Sequence, residues 1–144
     1  MKKRRREQNI QVAAGESTFV CTPAMCAFSP LLMVLLEAGE DESVVLPVAS
    51  GAVLGYACEY LTLLVGESVL LSHQGLPRPL PSHELLDFVT LPEKQFIEHV
   101  SPEDLVRLVQ TANYLGITGL LALCCARIAS ARMRHYTFAL DTRA

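Results

Sequence analysis

The sequence predicts an α+β domain: a small three-stranded sheet packed with a cluster of helices. Three observations carry the prediction. Apolar and polar residues alternate over residues 9–13 and 18–21 around Gly15-Glu16-Ser17, which is the period of strands joined by a hairpin. A third β-prone run, Val44-Val45-Leu46, stops at Pro47. Residues 101–133 then show helical spacing with helix-start and helix-stop residues at the expected places. Strands gathered at one end and helices at the other give an α+β arrangement rather than alternating βαβ units.

Taken in order, residues 1–8 contain K-K-R-R-R and form a basic flexible tail, and no apolar signal-type segment follows it, so secretion is not expected. After the hairpin, Ser29-Pro30 opens an apolar helix from Leu31 to Ala38, with Gly39 just past its end. The acidic turn Glu40-Asp41-Glu42 leads into the third strand. Ser50 can cap the next helix, in which Val53, Leu54, Ala57, Tyr60, Leu61 and Leu64 make a broad buried face before Gly66 ends it. Residues 67–92 hold Gly75, Pro77, Pro79 and Pro81 and read as a loop-rich insert, with a helical turn or two between Ser82 and Phe88. Phe96 and Ile97 then return the chain to the core.

Residues 101–133 are the best-marked part. Ser101 caps a helix, Pro102 suits its first turn, Glu103 and Asp104 favour its positive end, and Asp104 is spaced to close a capping box. Leu105, Leu108, Val109, Ala112 and Leu115 share one face, and Gly116 stands where a left-handed cap is expected. Thr118 begins a second helix whose apolar positions Leu120, Leu121, Leu123, Cys124, Ile128 and Ala131 cover more than one stripe. The domain is therefore taken as residues 9–133, with 134–144 as a C-terminal tail.

The 144 residues suit one domain. Half are hydrophobic (51%) and only 19% charged, an excess that points to surface made for a partner. Glu37, Glu59 and Glu67 interrupt the longest apolar runs, so none reaches the roughly 18 residues of a spanning helix. Five cysteines without C-x-x-C spacing read as reduced thiols of a cytoplasmic or nuclear protein. No metal or other cofactor is expected. A net charge of −3 leaves no nucleic-acid footprint outside the tail. Neither a nucleophile motif, a phosphate loop nor a paired carboxylate is present, so no enzyme is expected, and Cys124-Cys125 reads as core rather than nucleophile.

At A-N-Y-L-G-I-T-G-L-L, from Ala112 to Leu121, with Cys125 and Ile128-Ala129 following, the chain resembles the BTB/POZ superfamily and most closely its Skp family. These are adaptors that hold F-box proteins in cullin-based ubiquitin ligases. E-K-Q-F-I at Glu93 and V-V-L-P at Val44 are similar to the same family's segments. The resemblance implies a BTB/POZ-like (Skp) fold and a non-catalytic adaptor. It implies a cullin contact at Asn113 and Tyr114 and an F-box contact at Leu123, Cys124 and Ile128, and it allows a homodimer in the unpartnered state. From the residues alone, Tyr114 packing at the core edge and Asn113 facing water stays open beside that reading. The chain departs from the family at Ala131-Arg132, and M-R-H-Y-T-F-A-L-D-T-R-A replaces a P-E-E-I-R-type stretch, so part of the receptor clamp is expected to be missing or replaced. A structural or oligomerising subunit outside ubiquitylation, and an elongin-C-like adaptor, are the alternatives.

Overall fold

The computed structural model describes residues 8–39, 44–47, 50–66, 70–77 and 80–141, the segment 134–141 by backbone only. The basic run at 2–6 and the acidic turn at 40–42 lie outside the described residues. Strands β1 (Ile10–Ala14) and β2 (Ser17–Cys21) pair antiparallel, and β3 (Val44–Val45) joins β1 in parallel, giving the order β2-β1-β3. Gly15 makes the tight turn between the first two with φ of +60°. Only glycine reaches that value without strain, and Glu16 keeps a negative φ, as a type II′ turn requires. Inward-facing Ile10, Val12, Ala14 and Cys21 are buried.

Seven helices accompany the sheet among the described residues. Two follow the hairpin: the short α1 (Pro23–Cys26), capped by Thr22, and α2 (Pro30–Ala38), capped by Ser29. The longer α3 (Gly51–Gly66), capped by Ser50, comes next. All six positions predicted for its buried face are buried. It touches β1, β2, α1 and α6. Its Tyr60 ring meets Phe96 at 5.9 Å between centroids.

After it come α4 (Leu71–Gln74), a 3₁₀ turn at Leu85–Asp87 and α5 (Leu91–Glu98). Within the predicted loop-rich insert, Leu70, Ser72, Leu85, Phe88 and Val89 are buried, and α5 starts at Leu91, inside its bounds. The proline density of 77–92 concealed a capping box at Thr90-Leu91-Pro92-Glu93, in which Thr90 Oγ1 accepts from the Glu93 N–H and the Glu93 carboxylate accepts from the Thr90 N–H.

The chain closes with α6 (Pro102–Leu115) and α7 (Thr118–Asp141). Ser101 Oγ accepts from the Asp104 N–H at 3.2 Å as expected, while the Asp104 carboxylate stands 3.8 Å from Arg107. Helix α7 runs eight residues past Met133, so no backbone break separates 134–141 from the domain. No helix among the described residues is long and apolar enough to cross a membrane.

The α6–α7 corner is tied to α2 at two points. Ser29 Oγ, fully buried, accepts from the Leu32 N–H and donates to the Leu115 carbonyl at 2.6 Å, satisfying one of the orphan carbonyls at the end of α6. Gly116 has φ of +75°, and a Cβ there would lie 2.9 Å from Pro30 Cδ. Gly116→Ala should therefore lose about 2 kcal/mol, combining left-handed strain with that contact. Urea unfolding checks this, and a loss below about 0.5 kcal/mol would show that the corner yields freely.

Candidate functional site

The predicted site residues separate into two groups. Asn113 and Tyr114, in the last turn of α6, are both exposed, Tyr114 at 44%. Because Gly116 lies against Pro30 and Leu115 accepts from Ser29, this turn stands beside the N-terminus of α2. On α2, Met33 and Val34 are also exposed. An aromatic and an amide thus sit on the surface next to an apolar helix face.

The second group is corrected by the packing. Leu123 and Cys124 are completely buried and belong to the main core, and Ile128 is partly buried against it. They cannot form an open patch together, because Leu120, Leu123 and Cys124 occupy the face of α7 turned towards the core. Burial pushes the Cys124 thiol up to about 12, with Cys125 adding a smaller push. Leu121, placed in the core by sequence, is only partly buried.

What α7 leaves open is the neighbouring face. A groove of about 1010 Å³ runs along it, walled on the other side by α4 and by Gly75, Leu76, Pro77 and Leu80. Two rows at four-residue spacing supply the α7 wall: Thr118, Ala122, Ala126 and Leu121, Cys125, Ala129, Met133. Small side chains predominate, which makes the wall concave, and Leu76, Pro77 and Leu80 face them. The groove starts near the α2–α6 corner, where the His73 and Phe28 rings meet edge to face at 5.2 Å. Its lining is chiefly apolar, with polar groups from Ser72, His73, Gln74 and Thr118 towards that end.

A buried polar network holds the opposite wall in place. Glu93, fully buried on α5, accepts from the N–H groups of Leu71 and Ser72 at 2.9 and 2.8 Å, and from the N–H and hydroxyl of Thr90 at 3.0 and 2.9 Å. The Ser72 hydroxyl shares a 2.6 Å bond with Tyr60 Oη on α3. Burial raises the Tyr60 pKa despite that bond, so the phenol stays protonated. Gly119 of α7 lies directly against Tyr60 Oη and the His73 backbone. Glu93, Tyr60, Ser72 and Gly119 were missed as site-forming residues. The T-x-x-E spacing was the only sequence signal for any of them.

Among the described residues, no group of three or more His, Cys, Asp or Glu stands where it could hold a metal ion. Neither a protein-family model nor a curated protein matches this sequence.

Proposed function

We propose that the chain is a non-catalytic adaptor with a BTB/POZ-like, Skp-type fold, bridging a cullin to an F-box substrate receptor in a ubiquitin ligase. The observation that carries the reading is the apolar groove along α7, on the helix pair that bears the A-N-Y-L-G-I-T-G-L-L motif. A groove of this shape suits an amphipathic receptor helix, each Leu-sized side chain it covers contributing roughly 1.5–3 kcal/mol before the costs of ordering. The receptor contact moves accordingly to Leu121, Ala122, Cys125, Ala129 and Met133. The cullin contact stays at Asn113 and Tyr114, whose exposure beside α2 leaves them free to meet a partner.

Affinity purification of the tagged chain from cells containing cullins and F-box proteins tests this, with both expected to be recovered. Replacing Asn113 and Tyr114 together by alanine should cut cullin recovery at least about tenfold and spare the receptor. Ala129→Arg, which places a long charged side chain in the groove, should do the reverse. Both variants alter surface positions and should melt close to the parent. Recovery of a homodimer or an unrelated assembly in place of both partners would favour a structural subunit outside ubiquitylation and sink the adaptor reading.

A further inference from the structure

Cys21 ends β2 and Cys58 lies in the middle of α3, 37 residues apart, and their sulfurs are 4.0 Å from each other inside the core. Cys21 is fully buried and Cys58 is 8% exposed. The adaptor reading uses neither. We propose that Cys21 and Cys58 are a dithiol that closes to a disulfide under peroxide, stapling the sheet to α3. A sulfur–sulfur bond of about 2.05 Å needs an approach of roughly 2 Å, within reach of side-chain rotation and a small strand–helix shift. Of the other thiols, Cys26 is fully buried and near enough to Cys58 to act on its charge, Cys124 is buried on α7, and Cys125 opens into the groove.

The chemistry balances without a metal. The Cys58 sulfur attacks one peroxide oxygen, the O–O bond breaks, and a sulfenic acid and one water result. The Cys21 sulfur then attacks the sulfenic sulfur, expelling its hydroxyl as a second water and leaving the disulfide. Two thiols are oxidised by two electrons and one peroxide is reduced to two waters. Accessibility assigns the order: Cys21 is fully buried, where its contact with Cys58 and burial push its thiol up, while Cys58 keeps 8% of its surface exposed. Cys58, the partly accessible one, is the attacking group.

The full chain, treated with hydrogen peroxide, unfolded in alkylating reagent and digested, should yield a peptide linking Cys21 to Cys58 within one chain, with no disulfide between chains. Its melting temperature should rise by roughly 5–10 °C and fall back on reduction with dithiothreitol. In Cys21→Ala the oxidation should stop at a Cys58 sulfenic acid that dimedone traps; the parent's peptide map decides the matter if that variant does not fold. Cys58 pairing with Cys26 as readily as with Cys21, oxidation confined to Cys125, or a linked pair without the rise in melting temperature would each overturn the proposal.

Discussion

Glu93→Ala should remove about 4 kcal/mol of folding stability and release the segment around α4 before the rest of the molecule unfolds. The carboxylate accepts four hydrogen bonds in a site closed to water, and three of the donors are backbone N–H groups, those of Leu71, Ser72 and Thr90. Hydrogen bonds to a charged group contribute roughly 1.5–3 kcal/mol each, and a buried donor left unpaired costs about 1–3. These effects overlap within one network, so their simple sum would exceed what a single deletion removes. Glu93→Gln keeps one acceptor oxygen but turns an amide NH₂ towards the donors, and should fall between parent and alanine. Denaturant unfolding gives the energies, and amide exchange should show lost protection at residues 70–74 while α6 stays protected. Unchanged protection there, with a loss under about 1 kcal/mol, would mean that burial of Leu70 and not the carboxylate holds the wall.

The ends of helices and turns were legible because local chemistry sets them. Ser29-Pro30, Ser50, Ser101-Pro102, Gly15, Gly39 and Gly116 act within a few residues of themselves, and each appears in the structure where the residue type requires it. The buried face of α3 was legible for a related reason: an apolar stripe that broad has nowhere else to go. Orientation of α7 was not legible. Its apolar residues cover most of its circumference, so sequence alone could not tell Leu123 and Cys124, which face inwards, from Leu121 and Cys125, which face the groove. That choice is made by α6, which leads straight into α7, together with α4 and α5, which pack against it from positions distant in sequence. The groove's second wall was hidden because Glu93 stabilises α4 from 21 and 22 residues away, and four residues have too little helical signal of their own.

The other large effect expected is at Gly119. Alanine there should gain up to about 1 kcal/mol in helix propensity, yet the variant should be less stable than the parent by about 2 kcal/mol. The added Cβ would collide with Tyr60 Oη and lie 2.9 Å from the His73 Cα and 3.1 Å from its nitrogen. Neither neighbour can easily give way. The phenol is committed to Ser72, and the His73 backbone follows directly on the two N–H groups that Glu93 holds. Tyr60→Phe removes one of the two obstacles at the cost of the bond to Ser72, about 1 kcal/mol by itself. In the double variant the methyl occupies space that the hydroxyl vacates, so the combined loss should fall short of the sum of the single losses by at least about 0.5 kcal/mol. Strict additivity would place the whole penalty on the His73 backbone. In that case Gly119→Ala should act mainly by pushing α4 away from α7 and widening the groove, and amide exchange at residues 70–74 should rise further than the loss in global stability accounts for.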